Sequence, residues 1–116
     1  KRPRSNLHIL ARKLLREQFT YDTILEEVPL PGSHKPSRKS TLYVDFFIPS
    51  HSLAIEVQGR QHFEFVAHFH GDRQGFRKSK ARDRDKANWF KKNDIQLIAL
   101  SYLGKEDDWR QSIINR

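Results

Sequence analysis

Two short segments separated by a four-residue break constrain the fold of this chain most strongly. Residues 41–48 and 53–58 are rich in β-branched and aromatic side chains, and Pro49-Ser-His-Ser52 lies between them. Such segments favour the pleated surface of a sheet, and the break between them contains turn-forming residues. The pattern therefore predicts two antiparallel strands joined as a hairpin.

The hydrophobic pattern also predicts how the two strands pair. If Ile48 lies opposite Leu53, the numbers of paired residues sum to 101, and one face of the hairpin becomes entirely apolar. A shift of one residue would mix apolar and polar side chains on each face, so the pattern supports this register. The predicted pairs are Ile48 with Leu53, Phe46 with Ile55 and Val44 with Val57 on the apolar face, and Tyr43 with Gln58, Asp45 with Glu56 and Phe47 with Ala54 on the other.

The rest of the chain predicts an α/β domain around this hairpin. Ser5 is a good N-cap for a helix whose apolar residues recur every three or four positions. The expected order is α-β-β-β-α-β with a C-terminal helix, forming a central mixed sheet flanked by helices. The elements are a helix at 6–18, a strand within 21–30, a basic loop at 32–40, the hairpin, an irregular segment at 59–75, a helix at 76–93, a strand at 95–100 and a last helix that begins with Glu106-Asp-Asp108.

Charge directs the functional hypothesis toward nucleic acid. The 116 residues include 22 Lys plus Arg against 14 Asp plus Glu, which gives a net charge of +8. Nine of the basic residues fall between Arg73 and Lys92, and such clustering favours a polyanion partner over a mere aid to solubility. We expect residues 1–4 to be a basic arm or linker and residues 5–116 a single domain, cut from a longer protein.

The same composition excludes several classes of site. The chain has no Cys, which removes disulfides and cysteine-based zinc sites, so His, Asp and Glu are the candidate metal ligands. The longest apolar stretches, such as 95–100, are too short to span a membrane, and no apolar signal-peptide core is present. We therefore expect no membrane contact and an intracellular location, in the cytoplasm or nucleoid of a bacterial or phage-infected cell.

The predicted pairing of Asp45 with Glu56 is the strongest chemical feature of the sequence. Two carboxylates directly opposite on neighbouring strands repel each other, so something should compensate their charge. Mg²⁺ is commonly held by one or two carboxylates, with water and substrate phosphate at its other positions. The alternative is that one carboxylate pairs with a nearby Lys or Arg, as happens often in a chain that is 31% charged.

Several neighbouring residues could take part in the same chemistry. Gln58 is expected on the face of Glu56, Gly59 lets the backbone turn sharply, and His62 is a candidate acid, base or phosphate contact. Asp83 lies on the core-facing stripe of the long helix and should have a polar partner there. Arg82 and Lys86 could grip phosphates or form a solvated charged face, whereas His68 and His70 indicate a zinc site only weakly.

These residues resemble the PD-(D/E)XK nuclease superfamily. The core of the match is Asp45, ten intervening residues, and then Glu56-Val57-Gln58. A longer set of motifs is similar to the branch related to very-short-patch-repair endonucleases, which includes phage and intron-associated homing endonucleases with an EDxHD-type signature. The similarity covers roughly residues 5–103, through Leu53-Ala-Ile-Glu-Val-Gln-Gly-Arg-Gln-His62, Lys80-Ala-Arg-Asp-Arg-Asp-Lys86 and Asp94-Ile-Gln-Leu-Ile-Ala-Leu100.

The resemblance implies a restriction-endonuclease-like core and assigns roles to individual residues. Asp45 becomes the principal ligand of Mg²⁺ or Mn²⁺, Glu56 a second ligand or a carboxylate that positions water, and the Val57 carbonyl a further ligand. His62 becomes an acid, base or phosphate-polarising group that is oriented by Asp83. Arg82 and Lys86 would support the site or the DNA.

The chain departs from the family pattern at two positions. Gln58 stands where the family has a lysine and cannot supply a positive charge to the transition state. The resemblance therefore implies that His62 or the metal stabilises this charge instead. The glutamate expected on the first helix has no clear counterpart, and Glu17, near the end of that helix, is the nearest candidate.

The leading hypothesis is a metal-dependent endonuclease domain that hydrolyses double-stranded DNA. Phosphate contacts position an enzyme without specifying sequence, so a further DNA-binding domain in the full-length chain, a homodimer, or both are expected to select the site. The alternatives are a non-catalytic nucleic-acid-binding module on the same fold and a structural or protein-interaction domain. The expected DNA contacts are Arg60, Arg73, Arg77, Lys78, Lys80, Arg82 and Lys86.

Overall fold

A computed structural model describes residues 5–116 of the chain, and the basic arm predicted at residues 1–4 lies outside the described residues. The elements follow the predicted order, with a short helix inside the segment for which no secondary structure is predicted. They are α1 (Asn6–Gln18), β1 (Leu25–Pro29), β2 (Tyr43–Ile48), β3 (Leu53–Gln58), α2 (Ala67–His70), α3 (Arg73–Lys92), β4 (Gln96–Ser101) and α4 (Glu106–Ile114), with 3₁₀ turns at Pro49–His51 and Arg60–His62.

The four strands form one mixed sheet in the order β1-β2-β3-β4. The first three strands are antiparallel neighbours, and β4 runs parallel to β3. A parallel neighbour requires a crossover, and α3 forms most of it. The fold is therefore mixed α/β with helices around a central sheet, as predicted.

The hairpin register is confirmed where the strands form a ladder, since Phe46 pairs with Ile55, Phe47 with Ala54 and Ile48 with Leu53. The three other predicted pairs, Tyr43 with Gln58, Val44 with Val57 and Asp45 with Glu56, lie beyond the recorded ladder. There the Val57 N–H donates to Asp45 Oδ2 at 2.7 Å. A side-chain acceptor thus replaces regular backbone pairing at the end of the hairpin that carries both acids.

The sheet is covered on both faces, as expected for a sheet flanked by helices. One core packs Phe46, Ile48, Leu53 and Ile55 against α1 and α4, through residues such as Leu14 and Trp109. The second core contains Ala54, Leu30, Leu42 and Phe90 of α3. Within residues 5–116, sixteen hydrophobic side chains are buried in all, enough for one domain.

Val44 belongs to the second core, although the predicted register places it with Phe46. Its ladder partner on β1 is Val28, which packs against the same second core. Glu27, immediately before Val28, has a φ of 51°, a left-handed conformation that interrupts the alternation of side chains along an extended strand. The change of side along the β1–β2 pair therefore coincides with the left-handed residue Glu27.

Local capping explains where the two longest helices begin. Ser5 Oγ accepts a hydrogen bond from the His8 N–H at 3.1 Å, so Ser5 is the N-cap that the sequence predicts. Asp72 Oδ1 accepts from the Gly75 N–H at 2.8 Å, and α3 therefore starts at Arg73, three residues before the predicted start. No helix in the described part of the chain is long and apolar enough to cross a membrane.

Candidate active site

The two acids of the hairpin lie together on one cavity at the end of the sheet. This cavity, of about 330 Å³, is lined by Asp45, Glu56 and Val57, with His62 from the 3₁₀ turn after β3. The N-terminal end of α1 lines it from the other side through Ser5, Leu7 and His8. We call it the acidic cavity.

Glu56 is the most unusual ionisable group of this cavity. The residue is only 8% exposed, and its Oε1 lies 2.8 Å from Lys86 Nζ of α3. Burial, and then the negative charge of Asp45, raise the pKa of Glu56 to about 7, against the lowering effect of Lys86. The alternative of a simple pairing with a lysine therefore holds for one oxygen of this carboxyl group.

The other oxygen of Glu56 has a different environment. Among the described residues, Glu56 Oε2 is buried and has no hydrogen-bond partner. Buried polar atoms are nearly always satisfied, so this oxygen requires a further partner, which can be a water, a proton or a cation.

The donor atoms of the acidic cavity suit a hard cation. Across residues 5–116 no group of three or more His, Asp and Glu side chains is placed to hold a metal ion, which limits the side-chain ligands to Asp45 and Glu56. Two carboxylates are enough for Mg²⁺, which keeps several waters and commonly binds substrate phosphate as well. The orphaned Oε2 atom and this oxygen-only set fit Mg²⁺ or Mn²⁺, and Val57, the implied carbonyl ligand, lines the same cavity.

His62 and Asp83 form a second polar pair beside the two acids. His62 Nδ1 lies 3.2 Å from Asp83 Oδ2, although the residues are 21 positions apart in the chain. The carbonyl of His62 also accepts a hydrogen bond from Lys80 of α3. Helix α3 thus holds His62 at its ring, through Asp83, and at its backbone carbonyl, through Lys80.

A larger cavity of about 410 Å³ adjoins the acidic cavity, because His62, Gln61 and Phe69 line both. Arg82, Asp83 and Lys86 of α3 line one side of it, and Tyr43 of β2 lies on its wall. Two of the predicted phosphate-binding residues, Arg82 and Lys86, are therefore brought next to His62.

The other predicted DNA contacts have varied environments. Arg73 lies over the Phe65 ring at 5.0 Å, Arg60 pairs with Glu64, and Lys80 is held between His62 and the rings of Phe63 and Phe76. Arg77 and Lys78 are exposed on α3.

Gln58 does not line either cavity. It is the last residue of β3, pairs with Ser101 of β4, and its carbonyl accepts from the Tyr102 N–H at 2.8 Å. The positive charge absent from position 58 is instead brought to Glu56 by Lys86. Sequence reasoning assigned Lys86 only a supporting role, although its place three residues after Asp83 puts both on neighbouring positions of one helical face.

The structure corrects the assignment of Glu17. Its Oε2 lies 3.5 Å from Arg110 of α4, in a small cavity shared with Leu14 and Ile113. Glu17 is nine residues from His8, or about 13.5 Å along an α-helix, and therefore lies far from the end of α1 that lines the acidic cavity. His8 occupies that position.

His8 and Glu26 are the polar residues that sequence reasoning missed. His8 is 5% exposed, stacks on Phe46 at 4.5 Å, and its Nε2 lies 2.8 Å from Glu26 Oε1. Hydrogen bonds from Arg12, and secondarily the contact with His8, lower the pKa of Glu26 to about 2. The available signal was the helical spacing of His8, Ala11 and Leu15, which puts a histidine on the buried stripe of α1.

His68 and His70, which indicated a zinc site only weakly, have structural roles instead. His70 Nδ1 accepts from the Val66 N–H at 2.9 Å, and its Nε2 lies 3.0 Å from the Gln61 carbonyl oxygen. Both ring nitrogens of His70 are thus used to hold the segment between β3 and α3, while His68 packs against Phe69.

Comparison with known proteins finds relatives among viruses. The chain is 39% identical over 82 residues to uncharacterized protein 094L of Frog virus 3, a match that covers 70% of this chain and 53% of the relative. It is 34% identical over 65 residues to uncharacterized protein 307L of Invertebrate iridescent virus 6, covering 56% of this chain and 33% of the relative.

The similarity of the third relative is lower. Uncharacterized protein 033L of Invertebrate iridescent virus 3 is 29% identical over 86 residues, covering 70% of this chain and 44% of the relative. The chain thus spans between a third and about half of the length of these relatives. No family model matches the chain, and no solved structure matches it.

Proposed function

We propose that this domain is a metal-dependent endonuclease that hydrolyses phosphodiester bonds of double-stranded DNA, on a restriction-endonuclease-like core. The observation that carries the proposal is the meeting of Asp45 and Glu56 on one cavity, with an unsatisfied carboxylate oxygen and with His62 alongside. The resemblance to the PD-(D/E)XK nucleases points to the same residues independently of their positions in space.

The roles of the acids follow from their environments. Asp45 and Glu56, with the Val57 carbonyl, would hold the cation. When bound, Mg²⁺ or Mn²⁺ would polarise the scissile phosphate and lower the pKa of an attacking water. Asp45 is kept in place by the backbone N–H of Val57, 2.7 Å from its Oδ2.

The neighbouring residues supply proton transfer and positive charge. His62 takes or gives a proton through the ring nitrogen that is not directed at Asp83, and Asp83 fixes the orientation of the ring. Lys86 supplies the charge that Gln58 lacks, and Arg82 lies on the adjoining cavity to contact the phosphate backbone.

The ion pair of Glu56 with Lys86 also supports a second candidate, a non-catalytic nucleic-acid-binding module on the same fold. A carboxylate that already has a cationic partner is partly compensated without a metal ion. In that case no bond would be cut, and the DNA backbone would be bound by the predicted contacts on α3, namely Arg73, Arg77, Lys78, Lys80, Arg82 and Lys86.

An activity assay with matched variants separates the two candidates. The chain is incubated with supercoiled plasmid and long linear duplex DNA in Mg²⁺, Mn²⁺ or EDTA, beside Asp45→Asn and the control Asp107→Asn. Asp107 is an exposed acid on α4 that does not line the acidic cavity. We expect metal-dependent cleavage that Asp45→Asn reduces at least about 100-fold and Asp107→Asn leaves within about twofold.

Binding measurements make the negative outcomes informative. Mn²⁺ binding is followed by calorimetry and DNA binding by fluorescence anisotropy on the same preparations. DNA binding without cleavage under both metals, and without Mn²⁺ binding that depends on Asp45, would establish the non-catalytic module. Cleavage that persists in Asp45→Asn would contradict the proposed site.

The proposal also covers the cellular location and the choice of DNA target. The domain acts inside an infected cell, and the target sequence is selected by another domain of a longer protein, by a second protomer, or by both. The host expected from the sequence, a bacterial or phage-infected cell, stays a prediction.

A further inference from the structure

A basic cavity separate from the acidic cavity lies between the β1–β2 connection and α3. It has a volume of about 260 Å³ and is lined by Lys35, Ser37 and Arg38 of the connection and by Lys78, Ala81 and Arg82 of α3. Four of these six side chains carry positive charge. We call this the basic cavity.

The connection is fastened to α3 by ion pairs rather than lying loosely on it. Asp85 Oδ2 lies 2.8 Å from Lys35 Nζ and 2.6 Å from Arg38 Nη1. Arg38 Nη2 donates to the Ser33 carbonyl at 2.8 Å, and Ser33 Oγ accepts from the Leu42 N–H at 2.8 Å. The cations of the connection are therefore ordered before any ligand arrives, which reduces the entropic cost of binding.

The polar atoms of the basic cavity favour an anion. Asp85 is one carboxylate facing two cations of the connection, while Lys78 and Arg82 add two further charges to the lining. In the described part of the chain, Arg38 Nε also has no hydrogen-bond partner, but it is buried and is not itself exposed in the basic cavity. An excess of donors and positive charge around a volume this size suits a phosphate group.

The basic cavity is connected to the proposed active site through Arg82. Arg82 lines both the basic cavity and the 410 Å³ cavity that contains His62, Asp83 and Lys86. A polyanion with regularly spaced charges can occupy both places at once, whereas a free phosphate can occupy only one.

We infer that the basic cavity is a second, non-catalytic phosphate site for the backbone of the same nucleic acid, held by Lys35, Arg38, Lys78 and Arg82. This inference rests on the proposed function and deepens it, because it adds the β1–β2 connection to the DNA-binding surface. By fixing a phosphate at a distance from the scissile bond, the basic cavity positions the strand over the acidic cavity.

Charge-neutralising variants test the second site without using cleavage. Lys35→Gln, Lys78→Gln and the double variant are compared with Lys92→Gln, the same charge change on the same helix. Lys92 is 14 residues from Lys78, or about 21 Å along α3. Affinity for a labelled DNA duplex is measured by anisotropy in EDTA over a range of salt concentrations, and Mn²⁺ binding by calorimetry reports on the acidic cavity.

We expect the double variant to bind duplex at least about tenfold more weakly and to reduce the slope of log affinity against log salt by about one to two. Lys92→Gln should stay within about threefold of the unchanged protein, and Mn²⁺ binding should be unaltered in all variants. Equal effects of Lys92→Gln and the double variant, or no effect of either, would overturn the inference.

Competition experiments distinguish a site for the DNA backbone from a site for a small anion. Competition by inorganic phosphate is compared with competition by an unlabelled duplex. Full displacement by phosphate at micromolar concentration would replace the backbone site by a small-anion site and so overturn the inference. The binding results do not depend on cleavage, so a failure of Asp45→Asn to alter activity would refute the catalytic proposal and leave the second phosphate site standing.

Discussion

The carboxyl group of Glu56 has two oxygens in unlike surroundings. Oε1 lies 2.8 Å from Lys86 Nζ, and within residues 5–116 Oε2 is buried without a hydrogen-bond partner. Removing one member of a buried ion pair usually costs more than the pair contributes, because the remaining charge is left uncompensated. Lys86 is therefore the residue on which both the charge balance and the proposed chemistry of the site depend.

Replacing Lys86 tests this dependence. Lys86→Met keeps a long side chain and removes the charge, so the pKa of Glu56 should rise further and charge stabilisation at the phosphate should be lost. We expect single-turnover cleavage to fall by about 10²–10³. The cleavage rate of Lys86→Arg, which keeps the charge, should fall less. Circular dichroism checks that both variants fold.

A Lys86→Met variant that cuts within threefold of the unchanged protein would remove Lys86 from the mechanism. In that event the charge would have to come from the cation and His62, as the sequence alone suggests.

At the scale of elements, α1 is tied to β1 by an ionic cluster next to the acidic cavity. Glu26 of β1 accepts hydrogen bonds from Arg12 at 2.9 and 2.8 Å and contacts His8 at 2.8 Å. These contacts favour the ionised form of Glu26 and lower its pKa from the ordinary 4.5 to about 2. The cluster holds the end of α1 that lines the acidic cavity.

The lowered pKa predicts a contribution to stability that depends on pH. Because the folded-state pKa lies below the unfolded value, the contribution is complete above about pH 4.5 and disappears as the pH falls toward 2. The difference in thermal stability between the unchanged protein and Glu26→Gln should reach its full size above about pH 5 and shrink as the pH falls toward 2. A constant difference across this range would contradict the prediction.

A second element, the β1–β2 connection, depends on Asp85. Loss of its charge in Asp85→Asn should release Lys35 and Arg38 and loosen the connection. We expect trypsin to cut the chain after Arg38 several-fold faster than in the unchanged protein, because proteolysis requires local opening, whereas the bond after Lys35 resists trypsin because Pro36 follows it. Asp107→Asn serves as the control, and equal cutting rates in the two variants would contradict the prediction.

The sequence predicts those features of the fold that neighbouring residues determine, and it does not predict those that depend on contacts between distant segments. The hairpin register follows from side-chain alternation within the two strands, and Phe46 with Ile55 is confirmed. The position of Val44 depends on the backbone of Glu27 in another strand, which no pattern within β2 records. The presence of His8 and not Glu17 at the acidic cavity depends on which end of α1 meets the sheet.

The same distinction applies to the candidate site. Asp45, Glu56, His62 and Asp83 could be selected from motif spacing, and the structure places them around adjoining cavities. The pairing of Lys86 with Glu56 could not be predicted in this way, because the two residues are 30 positions apart and their contact depends on where α3 crosses the sheet. Long-range placement of this kind leaves only weak traces in local sequence.

For the whole molecule, the second core joins α3 to the sheet. Phe90 is 2% exposed and packs with Leu30, Leu42, Val44 and Ala54. A small domain has only about 5–15 kcal/mol of net stability, so one buried aromatic ring is a large part of it.

Truncation of this ring should remove a large part of the domain's stability. Phe90→Ala should reduce the free energy of unfolding by roughly 3–5 kcal/mol, and Phe90→Leu by less, because a smaller cavity remains. Urea denaturation followed by tryptophan fluorescence measures both. A loss under about 1 kcal/mol in Phe90→Ala would mean that α3 is held mainly by its polar contacts.

Helix α3 meets several separate parts of the molecule along its length. Lys80 and Asp83 hold His62, Asp85 holds the β1–β2 connection, and Lys86 holds Glu56. An insertion of one residue between Gly75 and Lys80 would rotate everything after it by about 100° relative to the preceding turn. Homologous chains should consequently vary this helix by substitution and not by length, with insertions and deletions confined to the segments on either side of it.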